Sequence, residues 1–133
     1  MKSHLFFAIF GLVACLSFVS EASDIRKMSQ QQLLSLQHAA KAPEFIVLDV
    51  RSDEEFKAGH IKEALNISHD TIEQHLGTLS DYKNKTVIVH CRSGRRAQAA
   101  EAILQSNGFT QLRHLEGDYK AWVAADLPLI KEK

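Results

Sequence analysis

Cysteine is scarce in this chain: Cys15 and Cys91 are its only two among 133 residues. Two thiols cannot build the multiple cross-links that staple small secreted folds, so a hydrophobic core has to hold the domain together. Charge of one sign is lacking as well. Sixteen Lys and Arg face sixteen Asp and Glu for a formal net charge of zero, so nothing suggests nucleic acid or an anionic membrane as a partner. No cluster of His, Cys, Asp and Glu has metal-ligand spacing, and no cofactor or metal is expected. Internal repeats and low-complexity stretches are absent. The longest apolar run, Leu5 to Val19, is about 15 residues, short of the roughly 20 that a spanning helix needs.

What is present is the composition of an ordinary soluble globular protein, with 45% hydrophobic and 24% charged residues at the length of one domain. Met1-Lys2-Ser3-His4 is a short basic start, and the apolar run is followed by Ser20-Glu21-Ala22. The pattern is that of a secretory signal peptide over residues 1–22, with the folded domain over 23–133, and export to a bacterial periplasm is expected. Leu12-Val13-Ala14-Cys15 also looks like a lipoprotein processing box, which would instead anchor the chain to a membrane through Cys15. Against it, Leu16, Phe18 and Val19 continue the apolar run beyond that point. A cut near Ala22 removes Cys15 and leaves Cys91 as one unpaired thiol in an oxidising compartment, the circumstance in which a reactive role is expected.

Strand and helix patterns alternate from Asp24 onward. Asp24 to Met28 reads as a short strand or lead-in, and Ser29-Gln30-Gln31-Gln32 as a capping box for a helix carrying Leu33, Leu34 and Leu36, ended by Ala42-Pro43. Phe45 to Val50 is a buried strand. Ser52-Asp53-Glu54-Glu55 is a second capping box, with Gly59 closing its helix. A helix is expected near Asp70 to Leu79. Leu112 to Leu115 reads as the last strand, and Asp118 as the cap of a final helix that places Trp122 in the core. Alternation of this kind predicts a three-layer α/β fold, a central, mostly parallel β-sheet with helices on both faces. Its ligand site should lie at the carboxyl ends of the strands.

The chemistry concentrates in Thr86 to Arg96, T-V-I-V-H-C-R-S-G-R-R. Val87-Ile88-Val89 is a β-branched run suited to a strand buried on both faces. Ala97 to Leu104 is rich in helix formers, and Asn107-Gly108 stops them. Cys91 therefore falls where a parallel strand gives way to a helix, and there backbone N–H groups and the positive end of the helix dipole favour an anion. The predicted cradle is Arg92, Ser93, Gly94, Arg95 and Arg96, with Gly94 allowing the turn, and it should favour a thiolate at Cys91. Asp49, at the end of another strand, could reach the same rim and hold the Cys91 loop through its N–H groups, or serve only as a helix-entry residue. Strand alternation sends His90 to the face opposite Cys91, so it is not read as a general base.

The loop resembles the active-site loop of the rhodanese family of sulfurtransferases. Leu48-Asp49-Val50-Arg51, with Glu55-Phe56 and Gly59-His60-Ile61, is similar to that family's first signature; Ala64 to Ile67 is similar to its continuation. Glu116-Gly117-Asp118-Tyr119-Lys120-Ala121-Trp122 is similar to its last signature, except that Asp118 stands where the family often has a second glycine. The resemblance runs from about Ile25 to Pro128. It implies a single-domain, rhodanese-like fold and a thiosulfate sulfurtransferase that works through a Cys91 persulfide. The donor would be a small sulfur-containing anion, and the acceptor cyanide, a small thiol or a redox protein; a monomer is expected. Arg92 and Arg95 would bind the donor's sulfonate, and Arg96 would close the loop or pair with an acid. Arg51 and Glu55 read as a structural ion pair, and His60 as a framework residue. Other readings are a persulfide carrier, a non-catalytic binding module, or a cysteine-dependent phosphatase or arsenate reductase. Those last enzymes carry Cys-x5-Arg, whereas here Ala97 occupies that place and the arginine comes one residue earlier, at Arg96.

Overall fold

The computed structural model describes residues 24–39 and 44–132. The expected leader, with Cys15, and the helix break expected at Ala42-Pro43 lie outside them. Five strands, β1 (Arg26–Met28), β2 (Phe45–Asp49), β3 (Ala64–Asn66), β4 (Thr86–His90) and β5 (Leu112–Leu115), form one sheet in the order β1-β5-β4-β2-β3. Every pairing is parallel. The helices are α1 (Gln30–Ala39), α2 (Asp53–Ala58), α3 (Leu76–Leu79), α4 (Arg95–Ser106) and α5 (Asp118–Ala124). The three-layer α/β architecture expected from the sequence is the one found, and its parallel character is complete.

Both capping boxes form. The Ser29 hydroxyl accepts from the Gln32 N–H at 3.1 Å while the Gln32 side chain accepts from the Ser29 N–H at 2.8 Å. Ser52 and Glu55 make the same reciprocal pair at the start of α2. Each satisfies two helix-end donors that would otherwise have no partner. Between β3 and α3 the expected helix is instead a 3-10 turn over His69–His75 that runs into α3. The three-residue β3 gives no apolar run in the sequence; its burial alternates between half-buried and exposed, as suits a short strand at the sheet edge.

Strand alternation divides the core in two. Ile46 and Leu48 of β2, Val87 and Val89 of β4 and Leu112 of β5 pack with Ala97, Ala100 and Leu104 of α4 on one face, and Cys91 belongs to this cluster. Phe45, Val47, Ile88 and Leu115 face the other way, toward Leu33, Ile61 and Trp122. Trp122, expected in the core, is 1% exposed and donates its indole N–H to the Pro128 carbonyl at 3.0 Å. Burying such side chains contributes about 1.5–3 kcal/mol each. Because β4 is the middle strand, with β2 and β5 beside it, its carboxyl end opens between the ends of two neighbours. Cys91 follows directly.

Candidate functional site

The loop 91–94 joins β4 to α4, and Gly94 makes the corner at φ +112°. That left-handed conformation suits glycine, and a Cβ there would lie 3.2 Å from Asp118 Oδ2. The corner turns the Gly94 N–H back onto the Cys91 sulfur, 3.0 Å away. Arg96, in the first turn of α4, interacts electrostatically with Cys91. It is also fixed from the other side, donating to both Glu55 oxygens at 2.6 and 3.0 Å. One amide hydrogen bond and one guanidinium charge therefore act on a sulfur whose residue is 1% exposed.

The other predicted residues distribute around this centre. Arg92, Ser93 and Arg95 are exposed, while Gly94 is buried. Arg92 shares a cavity of about 350 Å³ with Lys120, Tyr119, Ala58 and Val123. Ser93 and Gly94 border a larger cavity of about 840 Å³ on the β5 side, with His114, Glu101 and Asp118. Asp49 does not touch the loop's N–H groups. It is fully buried and bound by Arg51, whose guanidinium donates to its two oxygens at 2.7 to 3.1 Å. The expected Arg51–Glu55 pair is accordingly replaced by two others, Arg51–Asp49 and Arg96–Glu55. Arg96, from α4, supplies the partner of Glu55 instead.

The carboxylate that does hold the loop is Asp118. Gly117, not Asp118, occupies the cap position of α5, and no side chain caps that helix. The Asp118 side chain turns inward, 3% exposed, and its Oδ1 accepts the Cys91 N–H at 2.9 Å. Its Oδ2 accepts from His114 Nε2 at 2.9 Å, and His114 Nδ1 donates to Glu101. Asp118 and Glu101 hold the imidazole in its charged form, pushing the His114 pKa up to about 10. Sequence reasoning missed His114 and Glu101. A signal existed: Glu101 lies in register with the inward stripe Ala97, Ala100 and Leu104, and a carboxylate in an apolar stripe needs a buried partner.

On the opposite face, His90 is fully buried, and its Nδ1 donates to the Cys91 carbonyl at 2.9 Å. Burial lowers its pKa and keeps it neutral, while Asp49 opposes the shift. Its place away from the sulfur agrees with strand alternation. His60 is framework, as expected: Nδ1 bonds the Phe56 carbonyl at 2.9 Å and the ring stacks on Phe56.

Glu55 yields a pH prediction. Its hydrogen bonds to Arg96, aided by Ser52, hold its pKa at about 2, below the ordinary 4.5. A depressed folded-state pKa stabilises the fold fully above about 4.5, and that stabilisation is lost as the pH falls toward 2. Urea unfolding of wild type and Glu55→Gln should therefore differ most above pH 4.5 and converge toward pH 2. A gap that stays constant with pH would remove the Glu55 charge as its source.

The fold and site together define a class: an open, wholly parallel α/β protein with a cysteine cradled in the strand-to-helix loop of its middle strand. A family model, the rhodanese-like domain, matches residues 29–125. The chain belongs to the rhodanese-like domain family, a family of sulfurtransferase type. Among curated relatives it is similar to the tRNA uridine(34) hydroxylase of Wigglesworthia glossinidia brevipalpis, 38% identical over 78 residues. That match takes in 56% of this chain and 25% of the relative, so the chain spans about a quarter of the length of the curated relatives it matches. Among solved structures, a rhodanese-related protein from Thermoplasma volcanium is 26% identical with a TM-score of 0.69, over 80% of this chain and 99% of that one. A thiosulfate sulfurtransferase from Pseudomonas aeruginosa shares the fold at a TM-score of 0.72 and 19% identity, over 81% of this chain and 20% of that one.

Proposed function

We propose that the protein is a thiosulfate sulfurtransferase that carries sulfur as a persulfide on Cys91. The observation that carries this reading is the Cys91 sulfur accepting the Gly94 N–H at 3.0 Å, with the Arg96 guanidinium beside it. Both donors favour negative charge on that atom, whether as a thiolate or as a persulfide. In the first step the Cys91 thiolate attacks the outer sulfur of thiosulfate. A sulfur–sulfur bond forms to Cys91, the one inside thiosulfate breaks, and its electron pair leaves on sulfite. In the second step an acceptor such as cyanide, a small thiol or a protein cysteine attacks the outer sulfur and returns the Cys91 thiolate. No electrons are gained or lost overall, and neither step needs a metal or cofactor. Arg92 and Arg95, both exposed, would meet the donor's sulfonate.

The tRNA hydroxylases belong to a different reading. Their named activity is that of proteins of which this chain covers about a quarter, and the balanced formal charge of the present chain gives no net attraction for RNA. Oxyanion chemistry of the phosphatase kind is disfavoured by the shorter loop, with its arginine at Arg96. Export to a periplasm, with a cut near Ala22, a monomeric state and a small-molecule or redox-protein acceptor complete the proposal. Mass spectrometry of the purified chain after thiosulfate treatment tests it. The expected result is one added sulfur on Cys91, removed by cyanide, on a chain lacking residues 1–22. No added sulfur, or phosphate release from an aryl phosphate, would sink the assignment.

A further inference from the structure

Asp118 stands in a conformation that opposes its own residue type. Its φ is +54°, in the left-handed region where a side chain is strained and glycine would not be. Its carboxylate is also buried, which is costly for a charge without partners. Both penalties are local, and both are offset by contacts that converge on the backbone of Cys91. Oδ1 takes the Cys91 N–H, and the next residue, Tyr119, gives its N–H to the Cys91 carbonyl at 3.0 Å. Lys120 N–H does the same for Arg92. The nucleophile is thus held at its N–H and its C=O by two consecutive residues of α5. Oδ2 is occupied by the charged His114, which Glu101 holds from α4, so the carboxylate has no free rotation.

We propose that Asp118, buttressed by His114 and Glu101, is the positioning residue for Cys91: it aims the Cys91 N–H away from the sulfur and fixes the Cα–Cβ bond along which the sulfur reaches its donor. The sulfur's negative charge is then met by Gly94 and Arg96, from the far side of the loop. Asp118 touches neither the donor nor the transferred atom. This inference rests on the sulfurtransferase reading, and it goes beyond it by assigning the loop's geometry to a chain of three ionisable groups, two buried carboxylates joined by the partly buried His114. Loss of such alignment lowers the rate of the chemical step more than the affinity for the donor.

The test compares wild type with Asp118→Gly, which relieves the strained φ and deletes the acceptor, and with Asp118→Asn, which keeps an oxygen for the Cys91 N–H. Single-turnover loading of Cys91 is followed by quenched mass spectrometry at increasing thiosulfate. Asp118→Gly should lose on the order of ten- to a hundredfold in maximal loading rate, with half-saturation changed less than about twofold, and Asp118→Asn should recover most of the rate. Amide hydrogen exchange at Cys91 should speed up in Asp118→Gly and stay slow in Asp118→Asn. His114→Gln serves if the glycine variant does not fold: it leaves Asp118 in place without its support, and should give a partial loss of rate at unchanged half-saturation. Wild-type loading and wild-type Cys91 exchange in Asp118→Gly, or a loss confined to half-saturation, would overturn the proposal. A wild-type chain that takes no sulfur overturns the sulfurtransferase reading instead, and amide exchange then still decides whether Asp118 holds the loop.

Discussion

Replacing Cys91 by serine should abolish sulfite production from thiosulfate, by at least about a thousandfold, while leaving the fold in place. A hydroxyl at this position remains protonated at neutral pH and forms no bond to sulfur that an acceptor could profitably break, so both half-reactions fail together. The fold should tolerate the change. Cys91 is free and 1% exposed, and a serine oxygen can still accept the Gly94 N–H that the sulfur accepts at 3.0 Å. Thermal unfolding should therefore move by no more than an ordinary conservative core substitution, about 1 kcal/mol. Sulfite release, read colorimetrically with cyanide as acceptor, separates the alternatives. Undiminished release in Cys91→Ser would mean that the chemistry lies elsewhere in the chain. Loss of release together with loss of the unfolding transition would mean only that the variant failed to fold, and Cys91→Ala then repeats the measurement.

Features that local pattern determines are legible in the amino-acid sequence alone. Ser29 with Gln32, and Ser52 with Glu55, announce their helices because a capping box is complete within four residues. The β-branched run at Val87 to Val89 announces its strand, and period-two alternation assigns Cys91 and His90 to opposite faces. The location of the candidate site follows from those two facts. Partners distant in sequence are not legible in this way. Glu55 lies 41 residues from Arg96, and Cys91 lies 27 from Asp118, so the sequence pairs Glu55 with the nearby Arg51 and a cap rule assigns Asp118 to its own helix. Asp49 is drawn to the loop for a related reason. Its strand end is next to that of β4, since it pairs with His90 in register, but the sequence does not say that Arg51, two residues on, folds back to take both its oxygens. Short-range chemistry wins over proximity to the site.

That outcome makes the second large expected effect one of stability. Asp49→Ala should destabilise the protein by about 3–5 kcal/mol, a large share of the roughly 5–15 kcal/mol that holds a domain folded. Asp49 is 0% and Arg51 2% exposed, so removing the carboxylate leaves a guanidinium buried without its counter-charge. The Gly59 carbonyl, 2.8 Å from Nη2, and the Tyr119 ring, 3.7 Å from the guanidinium carbon, remain, but neither carries a full negative charge. Asp49→Asn keeps an acceptor for the Arg51 N–H groups and should lose less. Asp49→Ala combined with Arg51→Met should recover part of the loss, because an apolar side chain needs no counter-charge. Urea unfolding midpoints at neutral pH measure all three. A shift below about 1 kcal/mol for Asp49→Ala would mean that the pair is not what braces this rim. The same variants also separate bracing from substrate binding. Arg51 lies against Tyr119, whose N–H holds the Cys91 carbonyl, so the pair supports the loop; Arg51 also lines the cavity that Arg92 borders, whereas Asp49 is fully buried and does not. Under conditions where Asp49→Asn is fully folded, its KM for thiosulfate should match that of wild type, whereas an aspartate in contact with the donor would shift it.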